Sequence, residues 1–205
     1  MNMRRSQGLD DPAMREILFD TIEQPYERRG LPYRIYEELV IGKSRADAIL
    51  VTEDSIVGFE IKSDRDRLDR LEKQVKNYER FCDYCYIVTG LHYIDRIEEE
   101  VPEHWGIYDI LEDEDGGLHI EILREAKRNP KERPTTKLKN QMNLLWRLEL
   151  MEIIYNHGIR GYSKRNKHKL RDLIVEKLGK EESKRLTCEE LLNRDYSIFH
   201  PDEES

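Results

Sequence analysis

Asp47, Glu60 and Lys62 are the residues whose types and spacing could do chemistry. They sit in two short runs, Arg45-Ala46-Asp47-Ala48-Ile49-Leu50-Val51 and Ile56-Val57-Gly58-Phe59-Glu60-Ile61-Lys62-Ser63, that otherwise have the composition of buried strands. Side chains alternate faces along a strand, so Glu60 and Lys62 point the same way and Ile61 the other. Two carboxylates and an ammonium on one face of an apolar sheet are costly to bury without partners. A divalent metal ion and a phosphate would be natural ones. Magnesium takes hard oxygen ligands, usually one or two carboxylates plus waters and substrate phosphate. Asp47 and Glu60 supply the carboxylates, and the backbone carbonyl of Ile61 offers a third oxygen. Lys62 is then placed to position an attacking water or to stabilise charge in the transition state.

The elements that must hold these residues are legible from periodicity. Asp11-Pro12 reads as a capping acid followed by Pro at the first helical position, opening a helix that ends near Arg28-Arg29-Gly30. Residues 33–41, 46–52 and 55–62 read as strands, the last two joined by a short Glu53-Asp54 turn. Leu68, Leu71, Val75, Tyr78 and Cys82 recur at helical spacing over 66–81, and 84–89 is a fourth strand. The order α-β-β-β-α-β predicts an α/β fold with a mixed sheet. Residues 92–100 read as a short helix or loop, and 105–111 and 118–123 as two further strands. Pro130 and Pro134 punctuate a charged linker. The expected division is therefore a first domain over 1–128 and a basic helical region over 129–205, with helices at 136–156, 164–178 and 187–194.

Composition narrows the function classes. The 205 residues carry a net charge of -8, yet Arg124 to Arg185 holds 18 Lys and Arg against 8 Asp and Glu. A basic second part in an acidic chain points to a nucleic-acid surface there. Its densest run is Ser163-Lys164-Arg165-Asn166-Lys167-His168-Lys169. Lys164, Arg165, Lys167 and Lys169 are the candidate phosphate contacts, at a loop leading into a helix. No apolar run is long enough to span a membrane. Met1-Asn2-Met3-Arg4-Arg5 has no apolar stretch behind it, and three cysteines do not suggest a disulfide framework. These features make a cytoplasmic location the expectation.

The pattern Asp47…Glu60-x-Lys62, with this element order, resembles the PD-(D/E)XK nuclease superfamily and its restriction-endonuclease-like core. Tyr36 to Asp47, Gly58 to Asp64, Arg70 to Gln74 and Tyr78 are similar, more closely, to an uncharacterised bacterial family of that superfamily known by a locus-tag name. Val101-Pro102 with Trp105-Gly106-Ile107, Arg124 with Asn129-Pro130, and Leu144-Leu145-Trp146-Arg147 with Glu149 extend the resemblance to roughly residues 11–195. It implies metal-dependent hydrolysis of phosphodiester bonds in DNA, with magnesium as cofactor and manganese able to substitute. It makes Asp47 the metal aspartate and Glu60 and Lys62 the E-x-K pair. Gln74 falls where several branches place a glutamine near the active site. An additional acid is expected before the aspartate strand, at Glu38 or Glu37, or on the first helix at Glu16.

Several features have plainer readings. Glu182-Ser183-Lys184 is a second E-x-K, but in a polar helix. Cys82 and Cys85 have C-x-x-C spacing without further metal ligands nearby, so buried thiols are expected. Arg65, Arg67, Arg70, Lys73 and Lys76 flank the candidate site. They alternate with Asp64, Asp66, Asp69 and Glu72, which suggests helix salt bridging rather than a phosphate track. The rival to an enzyme is a nuclease-like module that binds DNA, RNA or a protein partner without cutting.

Overall fold

The structure is a computed structural model that describes residues 4–5, 10–63, 65–90, 93–113 and 115–196. Asp64, Met1 to Met3 and the acidic end of the chain from 197 onward lie outside the described residues. Strands β1 (Arg4–Arg5), β2 (Arg34–Ile41), β3 (Ser44–Val51), β4 (Ile56–Lys62), β5 (Tyr84–Thr89), β6 (Gly106–Glu112) and β7 (Leu118–Arg124) form one mixed sheet. β2, β3 and β4 are an antiparallel meander. β5 pairs parallel to β4, and β6 parallel to β5. Helix α1 (Asp11–Glu27) precedes the meander, α2 (Leu71–Phe81) crosses from β4 to β5, and α3 (Ile94–Glu100) crosses from β5 to β6. The α-β-β-β-α-β order expected from the sequence is the order observed.

The sheet is buried on both faces. On one, Met14, Leu18 and Ile22 of α1, spaced one turn apart, pack over Ala48, Leu50, Phe59 and Ile61. On the other lie α2, α4 (Pro134–Gln141), α5 (Arg147–Asn156) and α6 (Lys167–Asn193). The helices beyond residue 128 share a continuous apolar cluster with the sheet, from Tyr36 and Ile49 through Tyr78 to Leu145, Ile174 and Leu191. Tyr36 and Arg34 of edge strand β2 donate to the carbonyls of Leu191 and Leu192, so the end of α6 covers that edge.

Three local expectations change. The residue capping α1 is Asp10, whose Oδ1 accepts from Ala13 N; Asp11 is the first helical residue. The single helix expected over 136–156 is two helices. The chain leaves helical geometry at Leu145 and Trp146, which lets Leu144 and Leu145 both turn into the core, and Glu149 Oε2 caps the Trp146 amide at 2.5 Å. The stripes expected at 164–178 and 187–194 belong to one long element broken at Gly179. That residue takes φ 80° and ψ 175°, open to glycine and strained for other residues.

Candidate active site

The strand register assembles an acidic row. Glu37 pairs with Ala48 and Leu39 with Ala46, and Ala48 pairs with Phe59. Glu38, Asp47 and Glu60 therefore fall opposite one another on β2, β3 and β4. Like charges directly opposite are destabilising, and here the ladder itself gives way. The amide of Ile61 donates to Asp47 Oδ2 at 2.8 Å. Tyr78 bridges the two strands by accepting from Asp47 N at 3.0 Å and donating to Phe59 O at 2.9 Å. Burial, and the charges of Glu60 and Asp47, raise the Tyr78 pKa well above its ordinary value, so the hydroxyl stays a neutral donor.

Helix α2 approaches β4 closely because position 58 is glycine. A Cβ there would lie 2.5 Å from the Tyr78 ring and 2.7 Å from Cys82 Sγ. Gln74 lies one turn before Tyr78 on the same face of α2. Its Nε2 donates to Glu60 Oε1, which also accepts from Lys62 Nζ. Glu60 is 0% exposed and Lys62 6%. Burial, and next the neighbouring Asp47 charge, push the Glu60 carboxyl up to about 7 against the pull of Lys62. Burial likewise raises Asp47, opposed by the Ile61 amide, Lys62 and Arg15.

These groups open onto one cleft of about 640 Å³, lined by Asp47, Glu60, Ile61, Lys62, Gln74 and Glu38 among others. Of the alternative acids, Glu37 and Glu16 are exposed and do not line the cleft. The first helix sends Arg15 instead. Its Nη1 donates to Asp47 O at 2.9 Å. Its Nη2 donates to Glu38 Oε1 at 2.7 Å and to Asp47 Oδ1 at 3.4 Å, while Nε pairs with Asp11 at 2.6 Å. Glu38 is also paired with Arg45 and takes φ 52°, a left-handed backbone uncommon for a non-glycine residue. Sequence reasoning missed Arg15. Its only local signal is the i,i+4 spacing from Asp11.

The donor set fits a hard divalent cation. Among the described residues, Glu60 Oε2 and Gln74 Oε1 are buried without a hydrogen-bond partner, an expensive arrangement for acceptor oxygens. Among the described residues no group of three or more His, Cys, Asp or Glu side chains is placed to hold a metal. The groups that could hold one are the carboxylates of Asp47 and Glu60 and the amide oxygen of Gln74, hard oxygen donors, with Ile61 lining the same cleft.

The basic run does not join this cleft. Lys164, Arg165 and Lys169 line a separate pocket with Asp172 and Glu176. Arg165 Nε donates to Gly161 O at 3.1 Å. Lys167 turns inward to Asn143 O at 2.7 Å, where burial lowers its pKa. Cys82 and Cys85 are buried free thiols, as expected. No helix among the described residues is long and apolar enough to cross a membrane.

A family described as bacteriophage P4 protein cII matches residues 13–201. Among curated proteins none matches. Of solved structures, SPO1766, a protein of unknown function from Silicibacter pomeroyi, is 17% identical with a TM-score of 0.42, over 73% of this chain and 96% of that one. SfsA from Pyrococcus furiosus in complex with Ca2+ is 18% identical with a TM-score of 0.39, over 60% and 68%.

Proposed function

We propose, for a chain that belongs to the bacteriophage P4 protein cII family, a metal-dependent nuclease that hydrolyses phosphodiester bonds in DNA and carries a PD-(D/E)XK-type site. The observation that carries this reading is the pair of orphaned buried oxygens, Glu60 Oε2 and Gln74 Oε1, in the same cleft as Asp47 and Lys62. When bound, magnesium or manganese would supply Lewis acidity at the phosphate and lower the pKa of the attacking water. Asp47 and Glu60 would hold it. Tyr78 and the Ile61 amide fix Asp47 so that the strand separation at the site does not drift. Arg15 neutralises the repulsion between Asp47 and Glu38 from the far side. Lys62, once Glu60 is engaged, is free to orient water or to face the charge that develops on the phosphate. Because a ligating carboxyl must be ionised, metal affinity climbs as pH rises through about 7, where Glu60 titrates.

A second reading, a nuclease-like fold that holds nucleic acid without cutting, draws on Arg15 and Lys62, which partly neutralise the acidic row without a metal. One experiment separates the two. Purified protein is incubated with labelled single-stranded, duplex and branched DNA and with RNA, with and without magnesium or manganese. Metal-dependent cleavage of DNA that disappears in Asp47→Ala and Lys62→Ala is the expected result. Cleavage that survives either change sinks the assignment. Magnesium-induced thermal stabilisation that persists in Glu60→Gln removes the metal site.

A further inference from the structure

We propose that the segment joining β4 to α2 is a phosphate-backbone clamp, with Arg65, Arg67 and Arg70 gripping the nucleic-acid strand at the mouth of the cleft. The inference rests on the functional reading above and names the contacts that deliver substrate to that site. These three arginines line the same cleft as Asp47, Glu60 and Lys62, and no side chain of the 163–171 basic run does.

The interleaved acids suggest mutual cancellation, and the structure separates their roles. Asp66 is consumed in folding the segment: its Oδ2 accepts from Ser63 N at 2.9 Å and Ser63 Oγ at 2.6 Å, and its carbonyl accepts from Tyr93 OH. Glu72 is paired with Lys76 further along α2. Asp69 has one loose contact, 3.6 Å from Arg67, whose side chain is 86% exposed. Arg65 and Arg70 have no hydrogen bond or ion pair among the described residues, and both are exposed. Among the described residues, the mouth of the cleft therefore carries three guanidinium groups against one acid that is free to oppose them. The buried Tyr93 and the Asp66 turn hold the backbone that presents them.

By contrast, the 163–171 run lies away from the cleft: its exposed Lys164 and Lys169 line a separate pocket with Asp172 and Glu176, and its other cations are held by the protein. Lys167 and Arg165 bond to backbone carbonyls, Arg171 to Asp172, Asn143 and the Lys139 carbonyl. Guanidinium groups suit phosphate oxygens geometrically as well as by charge.

The test is equilibrium binding of fluorescent single-stranded and duplex DNA to the full chain in EDTA, across a series of NaCl concentrations. Removing one cation that neutralises a phosphate reduces the slope of log affinity against log salt by roughly 0.7 to 0.9. Arg65→Ala/Arg67→Ala/Arg70→Ala is expected to reduce the slope by about 2 and to weaken binding at least about tenfold near 0.1 M salt. The triple lysine variant should recover most of the slope. Lys164→Ala/Lys169→Ala should stay within about twofold of the unaltered protein. An unchanged slope in the alanine triple variant at an unchanged melting temperature overturns the clamp, as does undetectable DNA binding by the unaltered protein. Cleavage plays no part in this readout. A protein that never cuts yet loses slope retires the nuclease reading and keeps the clamp; one that cuts yet keeps its slope does the reverse.

Discussion

Two carboxylate–lysine pairs, one buried and one partly buried, lie at opposite ends of the sheet. Glu60 and Lys62 sit at the end of β4, where the strands part. Asp83 and Lys184 meet beside the start of β5, near the Glu53-Asp54 turn, at a smaller pocket of about 350 Å³. Asp83 Oδ2 accepts from Ile56 N at 2.9 Å, Gln141 Nε2 at 3.1 Å and Lys184 Nζ at 2.5 Å, with Arg128 3.7 Å from Oδ1. It joins the sheet to α4 and α6 through three donors on Oδ2 and a cation beside Oδ1. Glu60 is the reverse. Lys62 and Gln74 both crowd Oε1, and Oε2 is buried with no partner among the described residues. A carboxylate whose bonds are complete is structure; one left half-satisfied beside a second acid is set up for a ligand from outside. Lys184 also belongs to the second E-x-K of the chain, so this contrast separates the two occurrences of one motif.

The largest expected effect breaks the contrast at the Glu60 end. Asp47→Ala should reduce metal-dependent cleavage to background while circular dichroism and melting temperature hold. At the other end, Asp83→Ala should leave the cleft chemistry intact. It should destabilise the fold by about 3–5 kcal/mol, because it strands the Ile56 amide, Gln141 and the Lys184 charge. Urea denaturation alongside a cleavage assay checks both, and the comparison fails if the two phenotypes are exchanged.

A smaller effect concerns pH. The folded Glu60 pKa, about 7, lies above the ordinary value of 4.5, so the metal-free folded state holds its proton more tightly than the unfolded chain. Stability from this group is greatest below about pH 4.5 and is lost as pH climbs through about 7. Glu190 is raised to about 7 by burial and by Glu152, Glu149 and Glu189, and acts in the same window with the same sign. In a Glu190→Gln background, Glu60→Gln should flatten the remaining slope of melting temperature between those limits. A slope unaltered by the second change refutes the burial account of Glu60.

The smallest effect is at Glu38. Glu38→Gly removes left-handed strain of about 1 kcal/mol and two half-exposed ion pairs of similar combined worth, so net stability should move by less than about 1 kcal/mol. Metal affinity, measured by calorimetric titration, should fall because Arg15 loses its second anchor beside Asp47. Unchanged affinity would show that Asp47 is positioned without it.

The sheet and its site were legible to different depths. Strand 84–89 matches β5, and the meander falls within two residues at each end, because short apolar runs and the Gly42 and Glu53-Asp54 turns are local signals. Asp47, Glu60, Lys62 and Ile61 were nameable from type and spacing and Gln74 from the family resemblance, and the fold brings all of them to one cleft. The break at Leu145 was not legible, since a leucine-rich stretch reads as continuous helix until tertiary burial of Leu144 and Leu145 bends it. Nor was Arg15, whose partners Glu38 and Asp47 lie 23 and 32 residues away.

The amino-acid sequence by itself determined the α-β-β-β-α-β order, the face shared by Glu60 and Lys62, and the glycine that admits α2 against β4. These follow from periodicity and steric limits that act over a few residues. Only the tertiary structure decided which charges cancel and which remain. It consumed Asp66 in a turn, drew Lys167 onto a carbonyl, tied Asp83 to three donors and, among the described residues, left Glu60 Oε2, Arg65 and Arg70 without a partner. Charge pairing depends on distances across the chain, and the order of charges along a sequence does not say which of them meet.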